Sequence, residues 1–163
     1  MRTLVLALDR RLTDFALHLG CLLLAVISLL GLWQVVTRFV LSQPSSWTEE
    51  VMRRLLIWCV MLGVVAAFRR GALVSVDLML RRSRGAWRQV VRATIALASL
   101  AFLAVIAWFG TDLAWRIRFQ TFASIELSMA WAYAALPVGA LLAMVAVVAQ
   151  WLDPANEELE TAQ

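Results

Sequence analysis

"SSWTEEVMRRLLIWCVMLG", residues 45–63, sets four charged side chains within six positions and then runs straight into apolar sequence. Glu49, Glu50, Arg53 and Arg54 stand at the mouth of a segment that is otherwise suited to lipid. From Leu55 to Phe68 there are fourteen residues without a charge, or about 21 Å of helix at 1.5 Å per residue. A hydrocarbon core is roughly 30 Å thick, so Arg53 and Arg54 must enter its outer part. Adjacent helical side chains point about 100° apart, and both arginines therefore cannot face one neighbour. At least one has to snorkel or meet a polar partner. Two readings stay open: a pair of arginines snorkelling into the headgroup layer, or a contact with another subunit.

Local helix chemistry accounts for the spacing. Ser46 followed by Glu49 fits a capping box, in which hydroxyl and carboxylate satisfy free N–H groups at a helix start, so Ser46 is the expected helix cap. Pro44 helps to stop the preceding chain. Glu49 to Arg53 and Glu50 to Arg54 are both i,i+4 pairs with the acid on the N-terminal side, each contributing roughly 0.2–0.5 kcal/mol.

Working outward, the 163 residues are 63% hydrophobic and 16% charged, with a mean hydropathy of +0.80. Soluble domains carry roughly 25% charged residues, so the chain is an integral membrane protein. Four apolar stretches reach membrane length: Leu19 to Val36, Val51 to Phe68, Ala93 to Trp115 and Leu127 to Leu152. The expected fold is all-α, a single four-helix membrane domain with spans over about 15–41, 47–69, 87–116 and 126–152. Asp9, Arg10, Arg11 and Asp14 interrupt any signal-peptide core, so the first span reads as retained. Cys21 and Cys59 sit in separate apolar segments with no CxxC pattern, which speaks for packing rather than metal or disulfide chemistry.

All fifteen basic residues are arginine. Three precede the first span (Arg2, Arg10 and Arg11), and seven lie between spans two and three, from Arg69 to Arg92. The positive-inside rule then puts the N-terminus, the basic loop 69–86 and the acidic tail 153–163 in the cytoplasm. Charge here reflects topology, and nucleic-acid binding is not expected. Residues 1–14 repeat apolar side chains at three- and four-residue intervals, an amphipathic pattern. That segment either lies along the membrane surface or extends span one. The loop's short apolar run between arginine pairs reads as a second interfacial segment.

Trp33, Trp47, Trp87, Trp115 and Trp151 stand near the expected boundaries as an aromatic belt, whereas Trp58 and Trp108 lie deeper and suggest helix packing. Pro137 and Gly139 in span four imply a kink from the missing N–H or a packing notch. One histidine, His18, cannot supply paired axial haem ligands. No Asp or Glu lies in the uncharged cores of the spans, as autonomous proton-coupled transport would require. Nucleophile–base pairs, HExxH and P-loops are also missing. Neither catalysis nor a cofactor is expected, and a structural subunit remains.

At this point three blocks resemble the small permease subunit of TRAP (tripartite ATP-independent periplasmic) transporters. Span two matches through Glu49, Glu50, Arg53, Trp58 and Gly63, the following motif through Arg69, Gly71, Val76 and Asp77, and span four through Tyr133, Pro137 and Gly139. Leu73 stands where the family often has histidine, so a polar role there does not carry over. The resemblance implies a scaffold in the bacterial inner membrane, surrounded by lipid and bound to a large multi-spanning subunit that holds substrate and sodium sites. A periplasmic binding protein would deliver carboxylates to that elevator-type partner. Candidate partner contacts are Glu49, Glu50, Arg53, Arg54 and Trp58, with Arg116 and Arg118 as a second patch that reads equally well as solvated loop charge. The alternatives are a self-assembling channel or exporter, against which Gln34 and Ser99 form no continuous polar stripe, and an accessory subunit of a respiratory complex.

Overall fold

In lipid a chain must satisfy its backbone hydrogen bonds within itself, and helices do so segment by segment. The computed structural model describes residues 2–43, 45–69, 86–121 and 128–152. Its helices are α1 (Arg2–Phe39), α2 (Ser46–Arg69), α3 (Ala86–Arg116), α4 (Met129–Tyr133) and α5 (Ala135–Leu152). Four stretches are long and apolar enough to cross a membrane: Arg11–Phe39, Ser46–Arg69, Gln89–Arg116 and Met129–Trp151, the last formed by α4 and α5 together. The chain is a multi-pass membrane protein. Residues 70–85 and 153–163 lie outside the described residues, so the basic loop and acidic tail are not placed.

α1 is unbroken from Arg2 to Phe39. It ends where Leu41 N–H donates to Val36 O and Gln43 N–H to Thr37 O, at 3.3 and 3.0 Å. Ser42 has a left-handed φ of 52°, which reverses the chain into α2. Span four breaks at Ala134, between α4 and α5. Pro137 stands three residues later, and lacking an N–H it leaves the Tyr133 carbonyl without its helical donor.

The helices form an open row rather than a closed bundle: α1 packs on α2, α2 on α5, and α5 on α3, while α3 touches neither α1 nor α2 among the described residues. A weaker contact of α1 with α5 curves the row. Lipid tails are as apolar as leucine, so helix association rests on close approach of backbones at small residues. Span four supplies them: Ala132, Ala135, Ala140, Ala143, Ala146 and Ala149 are all buried. A Cβ placed on Gly139 would lie 2.6 Å from Met61 Cβ of α2, and one on Gly110 of α3 would lie 2.8 Å from Leu136 Cβ. Span four is thus interrupted at Ala134, one turn before the proline, and notched at the glycine.

The ends of the row are pinned by polar contacts. Arg92 of α3 reaches the last turn of α5 and donates to the carbonyls of Gln150 and Trp151 at 2.8 and 3.2 Å. Those carbonyls lack helical donors, and a cation suits that end of the helix dipole. Arg92, counted in sequence among the loop charges, is thus a cap on span four.

Gly139→Ala is expected to lower stability in detergent by about 1–3 kcal/mol, read by unfolding titration. Gly63→Ala, where a new Cβ meets nothing within 4 Å, is expected to cause no loss. Equal tolerance at both sites would contradict this packing.

Candidate functional site at the α1–α2 corner

The corner is closed by hydroxyls. Thr48 is fully buried and Thr37 nearly so. Thr37 Oγ1 lies 3.4 Å from Ser45 Oγ and donates to Gln34 O at 3.0 Å. Ser45 Oγ is 2.8 Å from Thr48 Oγ1, which donates to Ser45 O at 2.7 Å. α2 begins at Ser46, so Ser45 holds the flanking position and Ser46 is exposed inside the first turn. The Glu49 carboxylate turns toward Arg53.

Two ion pairs climb the first turns of α2, on different faces. Arg53 Nη2 donates to Glu49 Oε1, and both side chains are mostly exposed. Arg54 Nη2 lies 3.6 Å from Glu50 Oε1, with those side chains only 21% and 18% exposed. The 100° step between neighbours separates an outward pair from an inward one. Glu50 and Arg53 therefore belong to different pairs.

Trp58 lies one turn deeper. Its indole N–H donates to Trp131 O at 3.3 Å, and the two rings are 5.6 Å apart. This candidate contact is used inside the chain, where it ties α2 to α4. Cys59 likewise faces inward, with Sγ donating to Gly20 O of α1 at 3.5 Å.

The second patch follows α3. Arg116 Nε donates to Asp112 Oδ2 at 2.8 Å, one turn apart on an exposed face. Arg118 is not simply a solvated charge: its guanidinium sits 4.0 Å from the Trp115 ring centroid and 4.5 Å from that of Phe119, a cation–π clamp. Ser128 Oγ donates to Arg118 O at 2.8 Å and accepts from Ala130 N–H, which caps α4.

Of the remaining motif positions, Gly63 is exposed on α2, Arg69 ends that helix, and Tyr133 ends α4. Gly71, Val76 and Asp77 lie outside the described residues. No group of three or more His, Cys, Asp or Glu comes together to hold a metal among the described residues. Sequence reasoning missed the Thr37–Ser45–Thr48 chain, whose only signal was a threonine three residues after a serine at a helix start. The corner can present a rigid, charge-paired surface.

The family model for "Tripartite ATP-independent periplasmic transporters, DctQ component" matches residues 27–157. The chain is 29% identical over 117 residues to the sialic acid TRAP transporter small permease protein SiaQ of Vibrio cholerae, covering 72% of this chain and 65% of that one. It is also 28% identical over 125 residues to the sialic acid TRAP transporter permease protein SiaT of Haemophilus influenzae, covering 77% of this chain but 20% of that one. The matched segment thus spans about two thirds of the first relative and a fifth of the second.

Arg54→Ala, which removes the guanidinium beside half-buried Glu50, is expected to lower stability by about 1–3 kcal/mol. Arg53→Ala, in an exposed pair, should stay within about 0.5 kcal/mol. Unfolding titration of both variants checks this; a larger loss at Arg53 would contradict it.

Proposed function

This chain belongs to the DctQ component family of the TRAP transporters as a small permease subunit, and we propose that it is the stationary scaffold of a sodium-coupled carboxylate importer. It sits in the bacterial inner membrane with both termini cytoplasmic. A larger multi-spanning subunit, moving as an elevator, binds substrate and sodium. The small chain holds that subunit in place, helps to dock a periplasmic binding protein at its outer rim, and performs no chemistry of its own.

The open row is the observation that carries this reading. Only 6%, 22% and 11% of the apolar windows of spans one to three are buried within the chain, against 44% for span four. A self-sufficient bundle would enclose more, whereas a chain that packs against a partner can leave a face open for it. The i,i+4 pairing of Glu49 with Arg53 and of Asp112 with Arg116 stiffens the two helix ends where a docking surface would be needed. The topology rests on ten arginines at or before the start of span one and between the apolar cores of spans two and three, against five elsewhere.

The substrate class rests on relatives. Two of them are named for sialic acid, itself a carboxylate, and specificity belongs to the other components.

Reconstitution tests the assignment. Vesicles holding this chain with its larger subunit, supplied with the binding protein, should accumulate the carboxylate only under an inward sodium gradient. Omission of this chain should abolish uptake. Undiminished uptake without it would contradict a scaffold role.

A further inference from the structure

α2 carries three lengthwise stripes, and two are occupied. One meets α1 through Met52, Cys59 and Leu62, which face Gly31 and Gly20. Another meets span four through Trp58 and Met61. The third is open: Glu49, Arg53, Leu56, Val60 and Gly63 are all exposed, at spacings of four, three, four and three. That is the seam spacing of helices packed side by side. Val65, on the opposite side of α2, is buried at 2% exposure, so among the described residues only one face of this central helix is free.

Gly63 indicates what covers it. Glycine inside a helix is destabilising relative to alanine, and it repays that only where something needs the space. Cβ atoms on Gly20, Gly31, Gly110 and Gly139 would all meet a neighbour within 4 Å, whereas one on Gly63 would meet nothing. Fluid lipid tails fit themselves around any side chain. A helix backbone does not, and small residues are where membrane helices come closest.

We infer that the Glu49–Arg53–Leu56–Val60–Gly63 stripe is the seat of a transmembrane helix from the larger permease subunit, with closest approach at Gly63. This rests on the scaffold reading above and names the face through which it acts. The occupant is the larger subunit rather than a second copy because in the Haemophilus permease the matching segment makes up 20% of one longer polypeptide. The outer sides of α1 and α3, with Leu29 and Leu97 at 66% and 73% exposure, have no such open glycine, since Gly20, Gly31 and Gly110 already face neighbours, and are left to lipid in this assignment.

Site-specific photocrosslinking in native membranes tests this, with a benzophenone amino acid at Val60 or, for comparison, Leu97. Val60 should give an adduct that mass spectrometry identifies as the larger subunit, and Leu97 should not. Gly63→Leu should cause loss of the co-purifying larger subunit while the isolated chain keeps its helicity and unfolding midpoint. An adduct at Leu97 but not Val60, an adduct with a second copy of this chain, or full co-purification of Gly63→Leu would overturn the assignment of this face. If the wild-type chain retains no larger membrane subunit at all, the scaffold reading itself fails.

Discussion

Backbone proximity along span four is the constraint on which the remaining structure depends. Without a hydrophobic force between helices in lipid, contact must come from surfaces that fit closely. The alanines from Ala132 to Ala149, buried on α4 and α5, let that span sit between α2 and α3. Gly139 admits Met61 on one flank, and Gly110 admits Leu136 and Pro137 on the other. Because the small residues are divided between two flanks, span four bridges two helices that do not touch each other among the described residues.

Polar contacts then fix what packing alone would leave free to slide. The buried hydroxyls of Thr37 and Thr48, joined through Ser45, clamp the corner between α1 and α2. Trp58 holds α4 against α2 near that end, and Arg92 closes the far end of α5 from α3. Each of these joins two elements, and none needs a charge in the centre of the membrane. The ion pairs in the first turns of α2 and the last turn of α3 have a different character. They lie within single helices, stiffen their ends and leave the faces beyond them available.

Much of this was legible in the sequence where the partners are close along the chain. Glu49 with Arg53, and Asp112 with Arg116, are one turn apart, so spacing alone places them together. Pro137 announces a break because its chemistry is local. Arg92 could not be read as a cap, since its acceptors lie 58 and 59 residues away. The order of helices in the row was equally hidden: a glycine signals close approach without naming what approaches. Gly63 shows the difference. As a motif position it marked the family, and only the empty space around it turns it into a statement about a partner.

Among the described residues the chain is an open row with the outward face of α2 left free. Paired spin labels at Leu22 on α1 and Phe109 on α3, both exposed positions, measure it directly in a background lacking Cys21 and Cys59. An open row separates the two helices by two to three packing steps of about 8–10 Å, or roughly 16–30 Å between axes. A separation of a single step, about 10 Å before the label arms are added, would mean a closed bundle and would contradict the account.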